Sequence, residues 1–394
     1  MGKRRVMFIA DELPPDCGGA GRMAAFMMEG LSRLGHRVAV ITRAPAWRAE
    51  PDRVAVHRVR CPDHLYLYVP AYARRFRETD WAAQDVVVVN DCAASTAAAL
   101  RLPADVLGKC VFFLHGSEPE TFFGRRDWFY TLFRADRAYV RGLSAARAVV
   151  AVSRAMREKF LRISGQETLS DKIGVLYDAV ESRYFRPDPG FDGRSGPQAD
   201  ARTGMVEVRP VPPSDSGAAA PQILISVGRI DARKGYPRML AIFRELVARG
   251  HDFRWIVVGD GPWLGALRHR VLTERLQDRI LFTGRQPKAA LGGLYRSADV
   301  FWTLSDYEEA FGLVYLEANA CGIPVLAWDK GGVRESVSPG SSGFLVESEA
   351  ECLDILAGRR YRGIPRERIL LHAARFGEDR FFTQLEGLLE DNRA

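Results

Sequence analysis

The sequence is short of several features that would assign it to a special class of protein. Its six cysteines are scattered and show no paired ligand spacing, so neither a disulfide framework nor a zinc site is indicated, and reduced thiols in a cytosolic protein are the simplest account. No apolar run approaches the ~18 residues that a membrane span requires. No basic segment is interleaved with aromatic residues as nucleic-acid stacking requires, so we expect no nucleic-acid partner.

Two motifs are also missing. The first predicted strand is not followed by G-x-G-x-x-G, so dinucleotide binding has little support. No Asp-x-Asp pair occurs in the sequence, so a metal ion held by paired carboxylates is not indicated. We therefore expect neither a metal nor another cofactor.

The length of 394 residues exceeds one ordinary hydrophobic core and predicts two domains of roughly 180 residues each. We expect a first domain over residues 1–186 and a second over 223–375. Between them, 187–222 is dense in Pro, Gly, Ser and Asp, which is typical of a flexible linker or insertion. Residues 376–394 contain aromatic residues and leucines at the spacing of an amphipathic helix.

The formal net charge of +7 lies mostly in the first half of the chain. Up to Ser182 there are 27 Lys and Arg against 21 Asp and Glu, whereas the remainder has 29 against 28. This excess fits an anionic acceptor or an anionic membrane surface. A basic surface that serves only solubility is an equally good account.

The stretch 300–346 reads as a parallel βαβ unit. A buried strand, Val300–Leu304, leads into an acidic loop, a helix from about Phe311 to Cys321 and a second strand, Ile323–Trp328, before the turn at Gly331-Gly332. The acidic loop therefore lies where the carboxyl end of a strand meets the amino end of a helix. Doubly wound sheets bind ligands there, and free backbone N–H groups attract anions.

Two glutamates flank the start of this helix. Glu309 precedes it and Glu317 lies about two turns in, which places the two carboxylates roughly 80° apart around the helix axis. One carboxylate can then reach the front of a pocket while the other lines its side. Gly312 lets a ligand approach the helix terminus without a Cβ in the way. The alternative is an amphipathic helix whose acidic start favours its dipole.

The beginning of the chain shows a second βαβ pattern. Val6–Ala10 and Val38–Thr42 read as buried strands on either side of an apolar helix, Met23–Leu34. In the loop before that helix, Gly18 and Gly19 would let backbone N–H groups face a phosphate or an acceptor. A plain tight turn is the alternative.

Other polar residues follow predicted strands of the first domain. His115 comes directly after the strand Cys110–Leu114, where a polar side chain is expected to face a ligand, although a hydrogen-bonded core histidine is the alternative. The segment Leu65–Trp81 mixes aromatic and basic residues. It is interpreted either as an acceptor or membrane-surface element or, more simply, as an amphipathic helix.

The second domain opens with a cationic loop. The strand Ile223–Val227 is followed by Arg229 and Lys234, and two cations that converge at a strand end would neutralise a diphosphate. Exposed surface cations are the alternative reading. Gly261 and Arg285 follow the next two predicted strands and are expected on the same rim.

Taken in order, these motifs resemble the retaining glycosyltransferases of family 4. The motifs that carry the resemblance are the loop from Pro14-Pro15 to Gly18-Gly19, the run Gly35–Thr42, the pair His115-Gly116, the V-G-R…K-G pattern from Val227 to Gly235, and Glu309 and Glu317 with Phe311-Gly312 between them. The resemblance implies a GT-B architecture, with two α/β Rossmann-like domains facing a central cleft and the last helix crossing back to the first domain. The sequence departs from the family at Tyr177–Val180, where relatives carry an N-G-V-D turn.

The resemblance also implies a reaction, in which a sugar passes from a nucleotide-diphosphate donor to a hydroxyl acceptor with retention of configuration and without a metal. It implies catalytic roles at the diphosphate and the transferred sugar for His115, Glu309, Arg229 and Lys234. It implies binding of the donor or its nucleotide by Gly18, Gly19, Gly261, Arg285, Phe311, Gly312, Leu313 and Glu317, with Glu317 on the ribose.

Two other functions remain open from the sequence. A sugar-nucleotide epimerase on the same scaffold would isomerise the donor without any acceptor. A non-catalytic nucleotide-sugar-binding protein would keep the cationic pair but would not need Glu309 and His115. For the enzyme, we expect a cytoplasmic protein with an unknown hydroxyl acceptor (a glycan, a glycolipid or a small-molecule glycoside). The basic first domain suits an anionic or lipid-linked acceptor reached through peripheral membrane contact, and a small soluble acceptor is also compatible.

Overall fold

A computed structural model describes residues 2–15, 17–44, 47, 54–61, 67–124, 128–187, 195–199, 206–210 and 220–390. The chain divides into two compact units. The first consists of Met1–Asp178 with Asp379–Ala394, and the second is Ala179–Glu378.

The first unit is built on a parallel sheet of seven strands in the order β3-β2-β1-β4-β5-β6-β7. Its central strands are runs of buried apolar residues, as expected for a parallel sheet covered on both faces. The strands are β1 (Arg5–Ile9), β2 (Arg37–Thr42), β3 (Val54–Arg58), β4 (Val86–Val89), β5 (Cys110–Leu114), β6 (Ala148–Ala151) and β7 (Ile173–Val175).

Helices connect these strands. They are α1 (Gly19–Arg33), α2 (Tyr68–Arg77), α3 (Cys92–Arg101), α4 (Ala104–Leu107), α5 (Trp128–Leu132), α6 (Ala135–Ala145) and α7 (Arg154–Ser164), with a π-helical turn at Glu120–Gly124 and a 3₁₀ turn at Glu167–Lys172. Asp91 and Ser153 cap α3 and α7, because their side-chain oxygens accept the N–H of Ala94 and Met156.

Part of the predicted linker forms a small sheet. Strands β8 (Ser195–Ala199) and β9 (Val206–Pro210) pair in antiparallel register. The sequence pattern had not indicated these strands. The remaining residues of the predicted linker between 188 and 219 lie outside the described ranges.

The second unit has a parallel sheet of six strands in the order β12-β11-β10-β13-β14-β15. The strands are β10 (Gln222–Val227), β11 (Phe253–Val258), β12 (Ile280–Gly284), β13 (Val300–Thr303), β14 (Val325–Trp328) and β15 (Gly343–Val346). The order reverses between β10 and β13, so the loops after these two neighbouring strands leave the same edge of the sheet.

The helices of the second unit cover both faces of this sheet. They are α8 (Tyr236–Ala248), α9 (Leu264–Thr273), α10 (Lys288–Arg296), α11 (Leu313–Ala320), α12 (Val333–Ser336), α13 (Glu349–Ala357) and α14 (Arg366–Ala374), with 3₁₀ turns at Ala232–Lys234 and Arg360–Gly363. Trp255 and Trp302 meet edge to face in the core, with ring centroids 5.0 Å apart.

The last helix, α15 (Glu378–Leu389), packs within the first unit. The rings of Phe381 and Phe382 lie 5.6 and 5.0 Å from that of Phe26 on α1. Phe382 fills the space beside Gly30, where any Cβ would lie 1.8 Å from its ring. This close packing explains why α1 carries a glycine in its interior.

The predicted α/β class with two parallel sheets is confirmed. The boundaries differ in detail: α1 begins at Gly19 rather than Met23, and α11 begins at Leu313 rather than Phe311. Gly312 precedes it with a φ of +94°, a left-handed conformation that starts the helix two residues late. None of the helices in the described part combines the length and apolar character that a membrane crossing requires.

Candidate active site

Two loops at the carboxyl edge of the second sheet are held against each other. The amide of Asp306, after β13, donates to the carbonyl of Arg233, after β10, at 2.8 Å. Thr303 Oγ1 donates to the Lys234 carbonyl at 3.2 Å. A Cβ at Gly235 would lie 2.0 Å from the Leu304 carbonyl oxygen, so only glycine allows this approach.

This approach brings two predicted catalytic residues together. Lys234 Nζ lies 2.5 Å from Glu309 Oε1, and both side chains are partly exposed. The ammonium group also lies 5.7 Å from the centre of the Tyr307 ring. Lys234, predicted to bind the diphosphate, and Glu309, predicted to bind the sugar, therefore lie in one site.

Arg229 lies on the same loop as Lys234. It is exposed, and its side chain forms no hydrogen bond with the residues that the structure describes. The pKa of Asp231 is below its usual range, first because its carboxylate accepts the Arg233 amide and also because the guanidinium groups of Arg233 and Arg229 are near. Arg229 is thus a cation with unused donors at the strand end.

Glu317 is held by a residue that the sequence had not indicated. Its carboxylate is 4% exposed, and Tyr295 on α10 donates its hydroxyl proton to Oε2 at 2.8 Å. The tyrosine thereby orients the carboxylate that was predicted to bind a ribose. No local signal marks Tyr295, because it lies 22 residues upstream on a different helix.

At the start of α11, backbone N–H groups and not side chains are available to bind a ligand. Phe311 is buried and its ring packs 5.5 Å from that of Phe376. Gly312 is the N-cap residue, so the first amides of the helix, from Leu313 onward, have no capping side chain. Such a terminus can accept an anion, as predicted for Phe311–Leu313.

The glycine pair after β14 sets the position of the acidic loop. Gly332 donates its amide to the Glu309 carbonyl at 2.8 Å, and a Cβ there would lie 2.0 Å from the Ala310 carbonyl oxygen. Gly331 has a φ of +61°. The turn at Gly331-Gly332 was predicted from the sequence, whereas its contact with Glu309 was not.

Two more predicted residues lie at the same edge. A Cβ at Gly261, after β11, would lie 2.4 Å from the Ile230 carbonyl oxygen, so this glycine allows the loop to pack next to that of Arg229. Arg285 follows β12 directly and is exposed. Within the described residues, no three His, Cys, Asp or Glu side chains are grouped as metal ligands.

In the first unit, His115 follows β5 and forms a hydrogen bond to Asn90. His115 Nε2 lies 3.0 Å from Asn90 Oδ1, and Asn90 Nδ2 donates to the Ala20 carbonyl at 2.9 Å. The bond to Ala20 fixes which end of the Asn90 amide is the NH2 group, so Asn90 Oδ1 faces His115 as an acceptor. His115 Nε2 therefore carries the proton, and its Nδ1 is left as an acceptor. Burial lowers the pKa of His115 to about 4, so the ring is neutral at physiological pH.

Gly18 and Gly19 begin α1 and are both exposed. A Cβ added at either glycine would meet no atom at a distance that causes a clash. At Gly21, in contrast, a Cβ would lie 2.6 Å from the Glu12 carbonyl oxygen. The protein therefore does not require glycine at 18 and 19 for its own packing. This agrees with a loop that leaves room for a ligand.

Two family models match the chain. "Glycosyltransferase Family 4" matches residues 17–182, and "Glycosyl transferases group 1" matches residues 214–354. The two segments include every residue predicted for the site. The chain belongs to the family 4, group 1 glycosyltransferases.

Relatives with assigned activities align with most of the chain. The GDP-mannose-dependent alpha-(1-6)-phosphatidylinositol monomannoside mannosyltransferase of Mycolicibacterium smegmatis is 27% identical over 365 residues, 87% of this chain and 85% of the relative. The N-acetyl-alpha-D-glucosaminyl L-malate synthase of Bacillus anthracis is 25% identical over 343 residues, 84% and 81% of the two chains. This family 4 member is a nucleotide-sugar-dependent glycosyltransferase of class EC 2.4.

Solved structures agree on the fold. Anabaena HepE in complex with UDP and glucose has a TM-score of 0.73 at 17% identity, covering 98% of this chain and all of the other. WaaG, a glycosyltransferase involved in lipopolysaccharide biosynthesis, has a TM-score of 0.71 at 17% identity, covering 97% and 98%. The GT-B fold predicted from the motifs is thereby confirmed.

Proposed function

We propose that this glycosyltransferase is a retaining enzyme that moves a sugar from a nucleotide-diphosphate donor to a hydroxyl acceptor. The contact between Lys234 and Glu309 carries the proposal. It places a cation for the diphosphate beside a carboxylate for sugar hydroxyls, next to Arg229 and the free terminus of α11. Glu317 binds the ribose in this proposal, and His115 contacts the transferred sugar.

The chemistry requires charge stabilisation at the leaving group. As the bond between the anomeric carbon and the diphosphate oxygen breaks, negative charge develops on that oxygen, and Arg229 and Lys234 stabilise it. The acceptor hydroxyl attacks from the same face and forms the new glycosidic bond, while its proton passes to the departing phosphate. The two side-chain cations supply the positive charge, so we propose that no metal ion is required.

A nucleotide screen tests this function. We expect one nucleotide of UDP, GDP, ADP and dTDP, or its sugar conjugate such as UDP-glucose or GDP-mannose, to raise the melting temperature of the protein in excess EDTA. A ligand at ~100 times its dissociation constant stabilises by about 2.7 kcal/mol. Absence of any shift would contradict the proposed site. Turnover that EDTA abolishes and magnesium restores would contradict metal independence.

We further propose a lipid-linked acceptor, reached through peripheral contact of a cytoplasmic enzyme with an anionic membrane. Three large apolar side chains around α5 are exposed: Trp128, Leu132 and Phe133 at 59%, 68% and 46%. Exposed arginines follow at 134, 137 and 141. An apolar patch flanked by cations suits the interface of an anionic bilayer.

This patch is connected to the carboxyl edge of the first sheet. Next to the patch, Tyr130 on α5 hydrogen-bonds to Tyr68 on α2. The guanidinium of Arg43 lies 5.0 Å from the centre of the Tyr68 ring and forms two 2.6 Å hydrogen bonds to Asp11, directly beyond β1. A lipid acceptor at the patch would thus lie near the strand ends that carry polar groups.

Vesicle sedimentation tests the membrane contact. We expect the protein to sediment with vesicles of anionic phospholipid, less with zwitterionic vesicles, and the joint change Trp128→Ala, Leu132→Ala to lower the bound fraction severalfold. Leu371→Ala, at a 70% exposed leucine of the second unit, is the matched control. Equal sedimentation of the patch variant and the control would contradict membrane contact through this surface. We expect both variants to bind nucleotide as the wild type does, so this test is independent of the donor site.

A further inference from the structure

The peptide that follows His115 is held by two charged side chains that no part of the mechanism yet uses. The amide of Gly116 donates to Glu118 Oε2 at 2.7 Å, and its carbonyl accepts from Lys159 Nζ, also at 2.7 Å. Glu118 and Lys159 are each 2% exposed. Both polar groups of one loop residue are therefore fixed by buried charges of opposite sign.

The two side chains come from different parts of the chain. Glu118 lies in the turn after β5, whereas Lys159 lies on α7, 43 residues beyond Gly116. Lys159 Nζ also lies 2.8 Å from Glu120 Oε1, at the start of the π-helical turn. The lysine thus joins α7 to the loop that carries His115 at two points.

Burying these two charges costs desolvation free energy, so their presence is not explained by stability alone. Burial raises the pKa of Glu118, while the backbone amides and the Lys159 ammonium oppose this rise. From other elements, Glu118 faces Cys92 on α3 and Tyr139 on α6, whose pKa values burial raises above their usual range, so both are neutral. Lys159 supplies the positive charge that this carboxylate needs.

We propose that Glu118 and Lys159 are positioning residues for catalysis, because they hold the Gly116 peptide and through it the orientation of His115 toward the transferred sugar. The His115 ring itself is held by Asn90 and by stacking on Phe113, with centroids 5.7 Å apart and planes 14° apart. Asn90 and Phe113 thus fix the His115 side chain, while Glu118 and Lys159 fix the backbone that follows it. This inference rests on the proposed function, since it assigns His115 to the sugar.

The test compares Lys159→Met with Lys109→Met. Lys109 is a matched control because its Nζ also donates to two backbone carbonyls of the first unit, those of Trp81 and Gln84 at 2.8 Å, but it precedes β5 at the opposite edge of the sheet. We expect Lys159→Met to lower kcat for donor turnover by about 10–100-fold, with little change in nucleotide affinity. Lys109→Met should leave kcat within about threefold of the wild type.

The pH profile separates positioning from mere folding. Without the Lys159 ammonium, the pKa of Glu118 rises further, so its ionisation should appear at a higher pH in the pH dependence of kcat than in the wild type. The double variant Glu118→Gln, Lys159→Met should lack this ionisation. A folded Lys159→Met protein with wild-type kcat and pH profile would overturn the proposal.

Two further readouts keep the outcome clear. If Lys159→Met does not fold, Glu118→Met is measured alone, because it keeps the approximate size of the side chain but removes the acceptor of the Gly116 amide. An unchanged kcat in that variant would overturn the proposal. Hydrogen exchange of segment 114–118 requires no substrate, and we expect faster exchange in Lys159→Met than in Lys109→Met. If no nucleotide binds the wild type, the proposed function is wrong. If segment 114–118 exchanges at the same rate in Lys159→Met and Lys109→Met, Lys159 does not hold the Gly116 peptide, and the further inference is wrong.

Discussion

Replacing Lys234 by Met, or Arg229 by Ala, is expected to lower kcat/KM for the donor by about 10²–10³-fold. Each change removes a cation from the edge of the second sheet where the diphosphate is proposed to leave. Lys234→Met also leaves the partly buried Glu309 carboxylate without its ion-pair partner at 2.5 Å. The measurement is the initial rate of donor turnover at low donor concentration, together with the nucleotide dissociation constant.

Arg233→Ala is the matched control for both variants. Arg233 lies on the same loop and carries the same charge, but its side chain is 70% exposed. Among the described residues, its guanidinium contacts only Asp231, at 3.5 Å, and the ring of Tyr307. We expect its kcat/KM to stay within a few-fold of the wild type. If Arg229→Ala turned over low donor concentrations at the wild-type rate, its assignment to the diphosphate would be wrong.

Replacing Asp178 by Asn is expected to stabilise the protein at neutral pH. Asp178 is 7% exposed, and burial raises the pKa of its carboxyl from 3.8 to about 8. A carboxyl with a raised pKa favours the folded state below pH 4, and this contribution is lost as pH rises toward 8, because the unfolded chain ionises first. Asparagine has the same shape and no charge to bury, so the gain at pH 7 should be on the order of 2–4 kcal/mol.

Denaturant unfolding at pH 5 and pH 8 checks this sign. The free energy of unfolding of Asp178→Asn should exceed that of the wild type by a larger margin at pH 8 than at pH 5. Asp105→Asn, at an exposed carboxylate of α4, should show no such trend. A margin that is equal at the two pH values would show that Asp178 does not titrate as its burial implies.

Local sequence pattern was sufficient for the elements that carry most of the site. Runs such as Val86–Val89 and Cys110–Leu114 are buried on both faces of a parallel sheet, so apolar runs with polar residues behind them predicted both the strands and the rim. Arg229, Lys234 and Glu309 were identified because each lies in a loop that follows a strand and belongs to a motif that resembles those of family 4. The contact between Lys234 and Glu309 follows from the parallel pairing of the neighbouring strands β10 and β13.

Contacts between distant residues were beyond this kind of inference. Tyr295 holds Glu317 across two helices, and Lys159 reaches Gly116 from another βα unit. Neither has a periodicity or a neighbouring motif that marks it. The edge strand β3 (Val54–Arg58) was also missed, since it has only one buried residue and lacks the apolar run of a central strand.

The pairing of Lys234 with Glu309 has a consequence for ligand selectivity. An anion that binds the Lys234 ammonium breaks its ion pair with Glu309. The Glu309 carboxylate then requires other hydrogen-bond donors. Inorganic phosphate brings a charge but few donors, whereas a sugar joined to the diphosphate brings hydroxyl groups to the same place. If the donor binds as proposed, the Glu309 carboxylate competes with free anions for Lys234, whereas the complete donor supplies new partners for both the ammonium and the carboxylate.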